Sequence, residues 1–150
     1  MQADKSVYRI LDANANRARE GLRVVEEHFR MALDDAETSR RLKDLRHAVT
    51  GAISSMGIDG ELIASRRSDT DVGATPPVGT EGTRTDFAHL VTANLRRSQE
   101  ALRVLEEYSK LVSDKVPAEF KRLRFETYTL EKTLRLRDGG DCRNGSGEAH

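Results

Sequence analysis

The chain has 150 residues, of which 25 are basic and 25 acidic, so its formal net charge is zero. A neutral chain of this length can enclose one hydrophobic core but lacks the broad positive field that holds a nucleic acid or an anionic membrane surface. Charged residues make up 33% and aromatic residues 5%, which favours a helical protein with a solvated surface. There is no long apolar run, no apolar leader and a single Cys, so a cytoplasmic protein is expected.

Two helices are predicted in the first third of the chain. From about residue 6 to residue 33, apolar side chains recur every three or four positions, which is the period of an amphipathic helix about 40 Å long. A second helix is predicted to begin in the acidic stretch at residue 34 and to stop near Gly57.

A long loop is predicted over residues 57–84, which contain five Gly and a Pro-Pro pair without a sustained period. Loops of this length in a compact domain are uncommon and often functional. A third helix is predicted from about Thr85 to Val112 with a cap at residues 85–86, and a fourth over about 118–136, with Pro117 in its first turn. The Gly-rich residues 138–150 are predicted to be a disordered polar tail.

The first and third helices repeat one polar sequence. Residues i and i+80 are identical at ten of 25 positions between residues 10 and 34, and KDLR ending at Arg46 matches KRLR ending at Arg124 with a two-residue shift. Each half is therefore interpreted as a helical hairpin, and the two hairpins are expected to pack with approximate two-fold symmetry. The predicted fold is all-α: a helical bundle of two duplicated hairpins, about 6–56 and 85–136, in one domain spanning residues 1–137, with the long loop as a functional segment.

The repeated polar side chains are the candidate site. Asn14 and Asn94 share a helix face with apolar positions and are predicted to point inward, where an unpaired amide costs roughly 1–3 kcal/mol. Arg17 and Arg97 flank that face, and two guanidinium groups drawn toward one axis need anions between them, either protein carboxylates or phosphates. One site on the axis is expected because the halves are similar but unequal.

A structural alternative stands beside each candidate. The two Asn residues could form a paired contact across the pseudo-axis instead of a site. His47 is a candidate acid or base, with a structural role as its alternative. The repeated charges could form a solvated ladder of i,i+3 and i,i+4 pairs left by duplication. These charges are Glu20, Arg23, Glu26 and Glu27 with their counterparts Glu100, Arg103, Glu106 and Glu107.

The loop sequence ASRRSDTDVGAT, residues 64–75, carries a second signal. Arginines and backbone N–H groups near a Gly can hold phosphate, and the pair Asp69 and Asp71 can hold Mg²⁺ through oxygen ligands. Neither G-x-x-x-x-G-K-[ST] nor G-x-G-x-x-G occurs, so a conventional nucleotide-binding fold is not predicted.

Five segments, taken in order, resemble one protein family. They read YRILDANANRAREGLRVVEE, RLKDLRHAV, RRSDTDVG, VTANLRRSQEALRVLEEYSKL and RLRFETYTLEK, and they cover about residues 7–132. The chain resembles the all-helical domain often found fused in front of thiamin-phosphate synthase, a family regarded as monofunctional hydroxymethylpyrimidine phosphate kinases. The resemblance implies transfer of the ATP γ-phosphoryl group to 4-amino-5-hydroxymethyl-2-methylpyrimidine phosphate, giving the diphosphate used for thiamin synthesis.

For that reaction, ATP and Mg²⁺ are the expected cofactors and a phosphorylated pyrimidine is the expected substrate. Arg17, Arg97 and Arg66 are expected to clamp phosphates as catalytic groups, and Asp71, with Asp69, is expected to hold Mg²⁺. Substrate and phosphate binding is assigned to the remaining candidates, Asn14, Asn94, Glu20, Glu100, Arg23, Arg103, Arg46 and His47.

The sequence departs from the family pattern in two respects. Thiamin-phosphate synthase is expected as a separate downstream enzyme, since this chain does not contain it. The family is expected to have a Thr directly after the Gly of Asp71-Val72-Gly73, where this chain has Ala-Thr-Pro-Pro.

Three other interpretations compete. The chain could be a binding or sensor module for a phosphorylated thiamin precursor, which would consume no ATP. It could be an arginine-rich helical enzyme in the manner of chorismate mutases, which would need neither ATP nor Mg²⁺. It could be a structural oligomerisation domain, and a homo-oligomer is compatible with long helices around a small core.

Overall fold

A computed structural model of the chain describes residues 4–75 and 79–144, with the side chains of residues 80, 81 and 138–144 left outside the description. Within these ranges the chain forms five α-helices and no strand, so the all-α prediction is confirmed. The helices are α1 (Lys5–Glu27), α2 (Ala36–Ser55), α3 (Asp59–Ser65), α4 (Phe87–Ser109) and α5 (Val116–Asn144). None of the described helices combines the length and the apolar character that a bilayer crossing requires.

Aspartate caps three of these helices. The carboxylates of Asp4, Asp35 and Asp86 accept hydrogen bonds from main-chain N–H groups in the first turns of α1, α2 and α4, at 2.7, 3.0 and 2.8 Å. Each bond satisfies a backbone donor that has no partner inside the helix. The cap predicted at Asp86 is therefore present, and Pro117 lies in the first turn of α5, as its sequence position indicated.

The loop and the helix ends differ from the prediction. Helix α1 continues as a π-helical turn over His28–Ala32. Helix α3 and a 3-10 turn at Ser68–Thr70 lie inside the predicted loop; α3 has only seven residues, too few for a periodic pattern to be recognised. Helix α5 extends to Asn144, so residues 138–144 of the predicted tail are helical, and residues 145–150 lie outside the described residues.

The central packing is between α1 and α4, which form the most extensive helix contact of the fold and run antiparallel. The hydroxyl of Ser98 donates to the carbonyl of Ala18 at 3.0 Å, and the rings of His28 and Phe87 lie 4.9 Å apart. Later positions of α1 thus meet earlier positions of α4. Because Ala18 and Ser98 occupy the same place in the two repeats, their contact marks a pseudo-two-fold axis.

Around this pair, α2 packs against α1, α5 packs against α4, and α2 contacts α5. Helix α3 packs against α1 and is anchored by the buried Leu62. The core between the helices is made of fully buried apolar side chains, among them Leu11, Leu22, Leu42, Leu95, Leu102, Leu105 and Phe120. The solvent-facing side of α1 and the segment that follows α3 are left to form a site.

Candidate functional site

In each hairpin, one buried carboxylate–arginine pair joins the two helices. Arg46 donates from Nε and Nη2 to Glu26 at 3.0 and 3.4 Å, and Arg124 donates from the same two nitrogens to Glu106 at 3.2 and 2.7 Å. The repeat relates Glu26 to Glu106 and Arg46 to Arg124, so the two pairs are equivalent. The bonds from Arg124 hold the pKa of Glu106 below its usual value although burial of the carboxyl opposes them. Arg46, predicted to bind substrate, is therefore committed to the α1–α2 contact.

The ladder of surface charges is present in part. Arg23 lies 2.8 Å from Glu27 one turn on, and Arg103 lies 2.9 Å from Glu107 in the same arrangement. Such exposed i,i+4 pairs contribute only a few tenths of a kcal/mol. The structural alternative therefore accounts for Arg23 and Arg103. His47 is exposed on α2 and has no hydrogen-bond partner among the described side chains.

Arg17 and Arg97 stand apart from this ladder. Both are exposed, and neither has a hydrogen-bond or ion-pair partner among the described residues. The same is true of Glu20 and Glu100. Arg17 directly precedes Ala18 and Arg97 directly precedes Ser98, so the two arginines flank the pseudo-axis. Four charged side chains of the repeat thus remain available to a ligand.

The two asparagines bond within their own helices. The amide of Asn14 donates to the carbonyl of Ile10 at 2.9 Å, and the amide of Asn94 donates to the carbonyl of Leu90 at 2.9 Å. Asn14 is 5% exposed, as its inward position predicted, whereas Asn94 is half-buried. These bonds supply the partner that a buried amide needs, and no described hydrogen bond joins the two asparagines.

The segment after α3 is fixed to α1 by two ion pairs. Arg66 donates from Nε and Nη2 to the two oxygens of Asp12, each at 2.8 Å, and these bonds raise the pKa of the guanidinium. Asp71 lies 3.8 Å from Arg9 and accepts a hydrogen bond from the N–H of Gly73 at 2.8 Å. Arg66 therefore positions the segment instead of presenting a free guanidinium, and it makes no described contact with Arg17.

A cavity of about 460 Å³ lies between the start of α1 and the end of α3. We call it the loop cavity. Three cationic side chains line it, Lys5, Arg9 and Arg67, together with the hydroxyls of Ser6 and Ser65. Cations on one concave surface are groups that hold a phosphate, and Ser6 adds a hydroxyl donor, whereas the hydroxyl of Ser65 donates to the carbonyl of Leu62 at 2.7 Å. Lys5 and Arg9 were not among the predicted site residues, although they are one helical turn apart, whereas Arg67 is one of the two arginines of the loop sequence that was predicted to hold phosphate.

Asp69 and Asp71 fit Mg²⁺ as carboxylates that share the ion with substrate phosphates, and not as part of a site made of protein side chains alone. Across the side chains that the structure describes, no group of three or more His, Cys, Asp or Glu residues is placed to hold a metal ion. Mg²⁺, however, is usually bound by one or two carboxylates together with substrate phosphates. Asp71 beside the loop cavity, with the exposed Asp69 nearby in sequence, offers that donor set, so these residues could hold Mg²⁺ only together with a phosphorylated ligand.

Comparisons with known proteins cover most of the chain. A family model described as the ThiD2 family matches residues 9–133. The chain is 46% identical over 129 residues to a thiamine-phosphate synthase of Synechocystis sp., covering 86% of this chain and 36% of that protein. It is 39% identical over 136 residues to a thiamine-phosphate synthase of Rhodopirellula baltica, covering 91% and 36%. No solved structure was found to match.

The chain spans little more than a third of the length of the curated relatives it matches. The similarity therefore concerns one part of those proteins.

Proposed function

The chain belongs to the ThiD2 family, and on that premise we propose that it phosphorylates 4-amino-5-hydroxymethyl-2-methylpyrimidine phosphate with ATP. Its family and its relatives named thiamine-phosphate synthase link it to thiamin biosynthesis. In the proposed reaction, an oxygen of the acceptor phosphate attacks the γ-phosphorus of ATP, the bond to the ADP oxygen breaks, and a pyrimidine diphosphate forms. A thiamin-phosphate synthase activity would consume that product.

The observation that carries the proposal is the loop cavity with its three cations. Bringing two phosphorylated molecules together requires neutralisation of their charge and accurate positioning more than covalent help from the protein. Lys5, Arg9 and Arg67 supply positive charge on one concave surface, and the described residues that line it include no carboxylate, although Arg9 also lies 3.8 Å from Asp71. The acceptor oxygen is already ionised, so the reaction needs no strong general base, consistent with a site built from cations and hydroxyl groups.

Arg17 extends this site along α1, and Arg97, on α4, precedes the residue that contacts Ala18 of α1. Ile10 lines the loop cavity, and Arg17 lies seven positions later on the same helix face, about 10 Å along the axis. A nucleotide triphosphate and its acceptor together are longer than this distance. We assign Arg17 and Arg97 to the phosphates outside the cavity, with Glu20 and Glu100 as polar contacts of the substrate.

Mg²⁺, when bound together with ATP by Asp71 and Asp69, would neutralise phosphate charge. Arg66 would act as a positioning residue through Asp12, since its Nε and Nη2 both donate to that carboxylate. Asn14 and Asn94 would act in the same indirect way, because their amide groups hold the turn of helix that precedes each free arginine.

The experiment is a phosphorus NMR assay of purified protein with ATP, Mg²⁺ and the pyrimidine phosphate, with the unphosphorylated alcohol as the control acceptor. We expect a diphosphate product only with the phosphorylated acceptor, and its loss in Arg9→Gln/Arg67→Gln. Binding of the pyrimidine phosphate without any product would replace the kinase by a sensor module. Product formation at an unchanged rate in the double variant would remove the loop cavity from the site.

A further inference from the structure

A second cavity, of about 280 Å³, lies between the end of α1 and the start of α2, and we call it the basic cavity. Five cationic side chains line it, Arg23, Arg30, Arg40, Lys43 and Arg46, against the single carboxylate of Glu26. The whole chain has no net charge, so this is a strong local excess of positive charge.

Two of the five cations have protein counter-ions and three do not. Arg46 bonds to Glu26 and Arg23 bonds to Glu27. Arg30, Arg40 and Lys43 are exposed and have neither an ion pair nor a hydrogen bond within the part of the chain that the structure describes. Arg40 and Lys43 are one turn apart on α2, and Arg30 approaches from the π-helical turn. Three like charges therefore surround one concave surface, where an anion would relieve their repulsion.

The second half of the molecule provides an internal comparison. The repeat places Lys110 at the position of Arg30, Ala118 at that of Arg40 and Lys121 at that of Lys43. Lys110 pairs with Glu107 at 2.6 Å, and the ammonium of Lys121 lies 5.9 Å from the centre of the Phe125 ring. Each cation retained in that half has a protein partner. The unpaired set thus belongs to the first half and is not a general result of the repeated fold.

We propose that the basic cavity is a binding site for a small polyphosphate anion, such as inorganic diphosphate or the diphosphate group of a metabolite. Arginine and lysine groups converging from two elements suit an anion with several charged oxygens. The volume is below the range of pockets that enclose a drug-sized molecule, so the diphosphate group itself is the part that is recognised. Arg9 and Arg23 are 14 positions apart on α1, or about 21 Å, so this site is separate from the loop cavity.

The test is a titration of the full-length, ¹⁵N-labelled protein with inorganic diphosphate at constant ionic strength, followed by amide chemical shifts. We expect saturable shifts in residues 23–30 and 39–46. Arg40→Gln/Lys43→Gln should raise the dissociation constant at least tenfold. The matched control, Arg41→Gln/Lys132→Gln, removes two exposed cations outside the cavity and should leave the dissociation constant within twofold. Circular dichroism melting checks that both variants remain folded.

Three results would overturn the site. Shifts confined to residues 5–10 and 64–73 would place the anion in the loop cavity alone. An equal rise of the dissociation constant for diphosphate in both double variants would indicate that binding depends on the overall surface charge and not on the basic cavity. Sulfate binding as tightly as diphosphate would mean that the cavity does not recognise linked phosphates. Since neither ATP nor a pyrimidine is present, the outcome is independent of whether the proposed kinase reaction occurs.

Discussion

Ser98 donates a hydrogen bond to the carbonyl of Ala18 at 3.0 Å, and the two residues occupy the same position in the two halves of the chain. The duplicated hairpins therefore meet at equivalent points, with a hydroxyl present on one side only. The free arginines of the repeat directly precede these two residues. The close approach of α1 to α4 thus forms the centre of the core and also fixes the positions of Arg17 and Arg97 beside it.

Because α1 and α4 approach closely at Gly21, we predict that adding a side chain there destabilises the fold. A Cβ added there would lie 2.7 Å from the main-chain oxygen of Asn94 and would also collide with the Ser98 hydroxyl. Gly21→Ala should lower the free energy of unfolding by about 1–3 kcal/mol through overpacking. Gly51→Ala is the control, because nothing lies within 4 Å of its added Cβ, and it should raise that free energy by about 0.5–1 kcal/mol. Urea denaturation measures both; similar behaviour of the two variants would contradict the packing.

The buried pair of Glu106 and Arg124 predicts unequal effects at adjacent glutamates. Glu106→Gln leaves the guanidinium of Arg124, whose side chain is 14% exposed, without its carboxylate and should cost about 3 kcal/mol in unfolding free energy. Glu107→Gln removes only exposed ion pairs to Arg103 and Lys110 and should change the unfolding free energy much less, because solvent screens such pairs. Equal losses in chemical denaturation would show that the buried pair does not stabilise the second hairpin.

The lowered pKa of Asp35 predicts that the stability of the fold changes with pH in the acid range. The N–H of Thr38, its hydroxyl and then Arg137 lower the pKa of Asp35 from 3.8 to about 2 in the folded chain. The ionised carboxylate therefore stabilises the fold fully above pH 4, and this contribution is lost as pH falls through about 2. Asp35→Asn keeps a capping side chain but removes the charge, and should cost about 1 kcal/mol at pH 6 and progressively less toward pH 2. Melting curves of wild type, Asp35→Asn and the exposed control Asp44→Asn across this range measure the difference; a constant cost would be inconsistent with the lowered pKa.

Arg17 and Arg97 predict a loss of activity without a loss of stability. Neither has a described partner, so Arg17→Ala and Arg97→Ala should leave the melting temperature within about 2 °C. If they contact transferring phosphates, each variant should lower kcat/KM of the proposed reaction by about 10²–10³-fold. Arg96→Ala, at the neighbouring exposed position, is the control and should remain within threefold of wild type. Full activity in the Arg17 and Arg97 variants would exclude these residues from the site.

Asp71 predicts a change in Mg²⁺ requirement. Asp71→Asn removes a charged oxygen ligand and should raise the Mg²⁺ concentration for half-maximal proposed activity at least tenfold, because Mg²⁺ prefers carboxylate oxygen. The variant Asp59→Asn, which changes a carboxylate in the first turn of α3, is the control. An unchanged Mg²⁺ titration for Asp71→Asn would remove this residue from the metal assignment.

Sequence periodicity predicted the four main helices because a long amphipathic helix repeats its apolar signal many times. The repeat also revealed which polar positions are related, including Glu26 with Glu106. What it could not reveal is how each charge is used. Arg46 and Arg17 look equally free in the sequence, yet one is tied to Glu26 across the hairpin and the other has no described partner. That distinction depends on which residues 20 or more positions away come into contact.

Contacts of the central segment were harder to predict for the same reason. Arg66 and Asp12 are 54 residues apart, and nothing local in either sequence identifies the other. Helix α3 was missed because its seven residues provide less than two turns of pattern and its helix formation relies on packing of Leu62. The loop cavity, which brings Lys5 and Arg67 together, follows from those two missed features.

The pairing of α1 with α4 has a consequence for how the molecule folds and how it arose. Each of these helices makes its most extensive contact with a helix from the other half of the chain, so one hairpin alone would leave part of its apolar face exposed to water. The core of the first half is therefore completed only after residues 87–109 have been synthesised. An isolated hairpin would be expected to complete itself by associating with a second copy, and a duplicated gene that joins two such copies would turn that bimolecular step into an intramolecular one.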